Sequence, residues 1–161
     1  MNNISSKIVA LLLEKGLTIS TAESCTGGLV AKSLTDVSGA SSVFWGGVVS
    51  YDNSVKKNIL GVKSETLESV GAVSHDTASQ MAQGIKRIIN TDVGISTTGI
   101  AGPTGGTKDK PVGTVYVGIA YKDTVEGFLL SIDSSLSRDE IRHEATRQVL
   151  TLAYEKILEN Y

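Results

Sequence analysis

Three stretches of this chain carry residues whose types and spacing could do chemistry. The first is Thr21-Ala22-Glu23-Ser24-Cys25-Thr26-Gly27-Gly28. It lies between Leu17-Thr18-Ile19-Ser20, which alternates like a short strand, and Leu29, Val30, Leu34 and Val37, which give a helix one apolar face. The octet therefore reads as a strand-to-helix elbow. A hydroxyl at such a corner sits beside backbone N–H groups that lack intrahelical partners, and Gly27-Gly28 lets another molecule approach the backbone. The competing reading is plain helix capping, for which Ser, Thr and Glu are the usual residues.

The second stretch pairs Tyr51 with Lys56, where a strand gives way to a helix. If Asn53 caps that helix, Lys56 lies in its first turn, where the helix dipole disfavours an ammonium. Burial would push the same way and Lys57 adds like-charge repulsion, so the lysine's pKa moves toward neutrality. A neutral lysine can take the proton of a serine hydroxyl, the Ser–Lys alternative to a Ser–His–Asp triad. A neighbouring tyrosine can relay or hold that proton. The structural alternative is a solvated lysine and a tyrosine at the edge of the core.

The third stretch is the glycine-rich run from Thr98 to Gly113, which follows the apolar strand Val93–Thr97. It is too long for an idle turn. Its N–H groups can form a nest for a phosphate or carboxylate, with Lys108 or Lys110 supplying charge. It lacks the Gly-Lys-Ser/Thr and following helix of a P-loop, and it does not open into a helix as a dinucleotide fingerprint must. His75 and His143, the two histidines, have no metal-ligand spacing, and with one cysteine a structural zinc site is not expected. Cys25 is a second possible nucleophile, weighed against a small packed residue in a helix's first turn.

The elements that must position these residues follow from periodicity. Ile4–Lys15 is an amphipathic helix stopped by Gly16. The elbow helix runs to about Val37-Ser38-Gly39. A strand bends or starts at Gly46-Gly47 and continues through Val48–Tyr51. Short helices are expected over Val55–Leu60 and from Ser64, and a longer one over Ala78–Ile89. Thr114–Tyr121 and the residues around Val125, Phe128 and Leu130 form a hairpin about Lys122-Asp123. Ser137 caps a last helix that reaches Leu158, and His143 falls on its solvated face. Helices alternating with strands, closed by a hairpin, imply a single-domain three-layer α/β/α sandwich with a mixed sheet over residues 1–161.

Composition excludes several classes. The chain of 161 residues is 40% hydrophobic and 20% charged, which fits a globular domain with a real core. A net charge of −2 and 5% aromatics leave no electrostatic footprint or stacking platform for nucleic acid. No apolar run approaches the ~20 residues needed to cross a bilayer, and the N-terminus lacks the pattern of a signal peptide. A single cysteine excludes an intrachain disulfide, so the expected location is cytoplasmic. The 17 glycines exceed the usual share of about 7% and cluster at 27–28, 46–47, 99–106 and 113–118, beside β-branched runs. Such clusters suggest turns that bring backbone close to something.

Taken together the stretches are far more specific than any one alone. Ala22-Glu23-Ser24-Cys25-Thr26-Gly27-Gly28, Tyr51 with Asn53 and Lys56, and Gly99-Ile100-Ala101-Gly102-Pro103 through Lys110-Pro111-Val112-Gly113-Thr114-Val115 resemble the CinA C-terminal domain family. Arg138-Asp139 and Ile141-Arg142 fit the same pattern, so the resemblance runs from about Ile4 into the last helix. The chain looks like the family's single-domain form, without the molybdopterin-binding-like domain that precedes it in longer members. The resemblance implies hydrolysis of the carboxamide of nicotinamide mononucleotide to nicotinate mononucleotide and ammonia, with no metal or cofactor and with a homodimer as the assembly. It places the nucleophile on Ser24, the lysine on Lys56 and the tyrosine on Tyr51. Cys25, Thr26, Gly27 and Gly28 would bind substrate through backbone N–H groups. Gly99, Ala101, Gly102, Thr104, Gly105, Gly106 and Lys110 would hold ribose and 5′-phosphate. The alternatives are a non-catalytic nucleotide-sensing or interaction module linked to competence or DNA damage, and an amidase for another small amide.

Overall fold

The protein's structure, a computed structural model, describes residues 2–161. Its five strands are β1 (Ile19–Glu23), β2 (Phe44–Val49), β3 (Val93–Gly99), β4 (Val115–Tyr121) and β5 (Thr124–Leu129). Its helices are α1 (Asn2–Lys15), α2 (Leu29–Thr35), α3 (Asn53–Asn58), α4 (Ser64–Ser69), α5 (His75–Ile89) and α6 (Arg138–Asn160), with one 3-10 turn at Ala40–Ser42. The strands form one sheet in the order β2-β1-β3-β4-β5. β1 is parallel to both of its neighbours, while β4 is antiparallel to β3 and to β5. The sheet is mixed and helices cover both faces, as the alternation of elements predicts.

The two faces are built from different residues. On one, Ile19, Val93, Ile95, Val115, Val117 and Ile119 pack with α1, α2 and α6 through Ile8, Leu12, Leu34, Ile141 and Val149. On the other the strands present Ala22, Gly94, Ser96, Gly118 and Gly127 to α5. A Cβ at Gly94 would collide with the Ala82 carbonyl and one at Gly118 with the Ala78 carbonyl. Ser96 Oγ donates to Ala78 O at 2.6 Å. Small residues thus let α5 lie directly on the sheet, while branched ones hold the other layer at ordinary distance.

The first connection, β1–α2–β2, leaves β1 in one direction, and β2–α3–α4–α5–β3 returns past it on the opposite face. The carboxyl end of β1 is therefore a topological switch point, where the loops diverge and a crevice opens. Ser24 is the first residue beyond that end.

Several boundaries differ from periodicity. β1 runs through Glu23 rather than stopping at Ser20, because a strand between two parallel neighbours is buried on both faces and need not alternate. β2 starts at Phe44 and takes in both glycines instead of beginning at them; a Cβ on Gly47 would collide with Thr21 Oγ1 across the ladder. Asp52, not Asn53, caps α3, its carboxylate accepting from Ser54 N at 3.0 Å. α5 begins at His75 behind the Ser74 cap, three residues before its apolar stripe is legible. α6 carries the expected Ser137 cap as a full capping box with Glu140.

Candidate active site

The elbow is held by a buried carboxylate. Glu23, 1% exposed, accepts from Thr26 Oγ1 at 2.6 Å, from Val30 N at 2.8 Å and from Ala31 N at 3.1 Å. Glu23 is thus the cap of α2, reaching forward from the strand. Thr26 Oγ1 also shares a hydrogen bond with Thr97 Oγ1 at 2.7 Å, which ties the turn to β3. Ser24 N donates to Thr97 O at 2.9 Å and Gly27 N to Ser24 O at 3.0 Å. Gly28 takes φ 105°, which only glycine adopts without strain, and so turns the chain into α2. With capping done by Glu23, the Ser24 hydroxyl is left free for another partner.

That partner is Lys56. Its side chain is 1% exposed, and Nζ lies 3.2 Å from Ser24 Oγ, 2.9 Å from Ser50 O and 3.2 Å from Tyr51 O. Among the described residues no carboxylate forms an ion pair with it. Burial holds the ammonium below its ordinary value of 10.5, opposed by the more distant Asp52 carboxylate. Two of its three neighbours are carbonyls, which only accept, and the third is a hydroxyl, which can donate. Nζ donates to the two carbonyls, and its third contact takes the Ser24 hydroxyl oxygen as an ammonium or, once the amine is neutral, turns its lone pair to the serine O–H. The lysine and the serine come from positions 32 residues apart, joined because β1 and β2 are adjacent and end side by side.

Tyr51 contributes to this arrangement through its main chain. Its ring is 59% exposed, and Oη accepts from Arg138 Nη2 at 2.9 Å rather than meeting Ser24 or Lys56. Arg138 Nη1 also donates to Gly102 O at 2.8 Å, so one guanidinium bridges the tyrosine and the glycine loop. Cys25 is 4% exposed, and burial pushes its thiol up to about 12, so it stays protonated near neutrality and cannot act as a thiolate. The Thr26 side chain is fully buried. The backbone N–H groups of Cys25, Thr26 and Gly28 have no carbonyl acceptor among the described residues.

The glycine loop is largely folded on itself. Gly99 ends β3, and a Cβ there would lie 2.6 Å from Thr114 O. Ile100 N donates to Thr114 O and Gly113 N to Ile100 O. A Cβ on Gly102 would collide with the Val112 side chain and one on Gly106 would lie 2.8 Å from Val112 N. Ala101 is buried, whereas Thr104, Gly105 and Gly106 are exposed at the tip. Lys110 Nζ donates to Val70 O at 2.9 Å, at the end of α4. The structure brings Gly102 to Tyr51 through Arg138, and it directs Lys110 to α4.

Glu23, Thr97, Arg138 and Arg142 also build this site, though the motifs alone assign them no role there. Arg142 Nε donates to Cys25 O at 3.1 Å and Nη2 to Thr26 O at 2.9 Å. A signal for the arginines exists: two cations four apart open a helix whose dipole disfavours them there. His75 packs edge-on to Tyr116 and His143 bonds Asp139 within α6. No described helix is long and apolar enough to cross a membrane.

An α/β sandwich with a buried lysine on a serine at the end of its central parallel strand is a specific combination. The profile of the CinA C-terminal domain matches residues 1–157, and the chain belongs to that family. A CinA-like protein of Trichormus variabilis is 48% identical over 158 residues, 98% of this chain and 38% of the relative. A relative from Thermoanaerobacter pseudethanolicus, named for competence-damage induction, is 57% identical over 143 residues, 89% of this chain and 33% of that protein. The chain thus spans about a third of the length of the curated relatives it matches. Among solved structures, the competence/damage inducible protein CihA of Agrobacterium tumefaciens superposes with a TM-score of 0.90 at 39% identity, covering 94% of this chain and 92% of that one. The competence damage-inducible protein A of Klebsiella pneumoniae gives 0.94 at 29% identity, covering 99% and 98%.

Proposed function

We propose that this chain is a serine amidohydrolase and that its substrate is nicotinamide mononucleotide, the activity implied by its resemblance to the family's nicotinamide-nucleotide amidases. The observation that carries the reading is the Lys56 amine, buried without a carboxylate and held by two carbonyls with its remaining valence on Ser24 Oγ. Ser24 attacks the carboxamide carbon as Lys56 takes the hydroxyl proton. The tetrahedral oxyanion accepts from the N–H groups of Cys25 and Thr26, a type of interaction worth about 3–4 kcal/mol per donor. The C–N bond breaks as Lys56 returns the proton to the departing ammonia, leaving a nicotinoyl ester on Ser24. Water then attacks that ester while Lys56 takes its proton, the C–O bond to Ser24 breaks, and the serine is reprotonated.

At the nucleotide end, the exposed Arg138 guanidinium beside Tyr51 and Gly102 supplies charge for the 5′-phosphate. The test is release of ammonia and nicotinate mononucleotide by the wild type, Ser24→Ala and Lys56→Ala, with nicotinamide and its riboside as comparison substrates. Turnover in the wild type alone, and only with the phosphorylated amide, supports the reading. A folded wild type that binds the nucleotide without releasing ammonia overturns it in favour of a sensing module.

A further inference from the structure

We propose that Arg142 is a positioning residue that aims the Thr26 N–H at the oxyanion; this rests on the serine-hydrolase reading above. In the turn after β1, the Ser24 N–H is taken by Thr97 O and the Gly27 N–H by Ser24 O. The donors left without a carbonyl acceptor are those of Cys25, Thr26 and Gly28. They belong to the turn, ahead of α2, and each is one edge of a rigid peptide plane whose other edge is the preceding carbonyl. Fixing that carbonyl fixes the direction of the N–H. For Cys25 the turn does this itself, since the Ser24 carbonyl accepts from Gly27 N at 3.0 Å. For Thr26 the carbonyl is that of Cys25, and what holds it is Arg142 Nε at 3.1 Å, from 117 residues away. Nη2 of the same guanidinium holds the next carbonyl, Thr26 O, at 2.9 Å. One planar fork thus grips two successive peptides, which a lysine's single point donor cannot do. Gly27 leaves the room for it: a Cβ there would lie 3.3 Å from Arg142 Nη2.

The experiment follows both amide hydrolysis and labelling by a fluorophosphonate. Labelling joins Ser24 Oγ to phosphorus, expels fluoride and gives the serine proton to Lys56, so it reports the nucleophile and the oxyanion donors without the nucleotide. Arg142→Ala is expected to slow labelling and kcat by about 10- to 100-fold, less than the full loss of a donor. KM stays within about twofold and the pH midpoint of labelling stays where it is in the wild type. Arg142→Lys recovers part of the rate, and methylguanidinium added to Arg142→Ala recovers more, with thermal melts confirming that each variant is folded.

Wild-type labelling rates in Arg142→Ala overturn the proposal. So does a loss explained by a moved pH midpoint, which would make Arg142 a modulator of Lys56, or a raised KM at unchanged kcat, which would make it a substrate grip. If the wild type itself is not labelled at Ser24, the serine reading fails and the role of Arg142 falls with it. That pattern differs from a failure of Arg142 alone, in which wild type and variant are labelled equally fast.

Discussion

The elbow at Gly27-Gly28 and the loop from Gly99 to Gly113 are both glycine-rich, and both follow a strand that ends at the same edge of the sheet. They use glycine in different proportions for conformation and for close approach. At Gly28 the requirement is conformational: φ is 105°, while an added Cβ would find its nearest neighbour, Val49, at an ordinary 3.7 Å. At Gly106 the requirement is steric, because the loop closes on its own Val112, and Gly102 combines both, with φ 75° and a Cβ that would meet Val112. Above Gly28 the backbone is uncrowded, whereas Arg142 approaches Gly27 and Val112 fills the space at Gly102 and Gly106. A run of glycines in sequence therefore marks close approach, but only the structure tells whether the approaching group is a ligand or the chain itself.

The sharpest way to break this contrast is to remove the chemistry from the elbow. Ser24→Ala or Lys56→Ala is expected to lower kcat for the amide by about 10⁴-fold or more, with the Ser24→Ala melting temperature close to wild type and that of Lys56→Ala shifted by the emptied buried site. A loss of similar size from a glycine-loop variant would erase the distinction between the regions. Glu23→Gln should come next. It turns an acceptor of three hydrogen bonds into a group that can answer fewer of those donors, and it should cost about 2–3 kcal/mol in a denaturant titration. Gly106→Ala is expected to cost about 1–3 kcal/mol by forcing the Val112 backbone to shift, with kcat changed less than about threefold. Lys110→Ala, at the loop's exposed contact with α4, should change stability by less than about 0.5 kcal/mol. A raised KM for the mononucleotide in that variant, with kcat unchanged, would return the loop to the binding site.

The pH dependence sharpens the same contrast. Lys56 works as a base when neutral, and burial lowers its pKa from the ordinary 10.5, so turnover should rise with pH as the proton is lost below that value. Asp52 opposes the shift. Asp52→Asn, which keeps a capping side chain, should move the acidic limb of the rate profile to lower pH. Stability follows the same group: between the folded and unfolded pKa of Lys56 the unfolded chain binds the extra proton, so stability rises with pH across that window. Lys56→Met should flatten that rise in melts recorded from neutral pH upward.

Much of this was legible in the sequence because it is local. The strand, elbow and helix around Ser24 follow from periodicity within about twenty residues, whereas Lys56, expected in a first turn behind Asn53, lies in the last turn of α3 because Asp52 is the cap, and burial rather than the helix start lowers its pKa. The mixed sheet follows from the order of helices and strands. What was not legible depends on contacts between distant parts of the chain. Nothing near Glu23 distinguishes an acid that bonds within the elbow from one in a capping box. Arg142 meets the turn across 117 residues. The Tyr51 hydroxyl turns outward because Arg138, 87 residues away, is there to receive it. Spacing places Tyr51 beside Lys56, which the main chain bears out through the Tyr51 carbonyl, and the direction of its ring belongs to the tertiary fold.

The acceptors around Lys56 Nζ, the carbonyls of Ser50 and Tyr51, are main chain, and this bears on how such a site can change over time. No single substitution deletes a carbonyl, so the base's immediate surroundings are shielded from mutation and inherited with the path of the backbone. Drift in the optimum pH must then come from farther out, and Asp52, exposed at the cap of α3, is a place where selection can adjust the base without dismantling it.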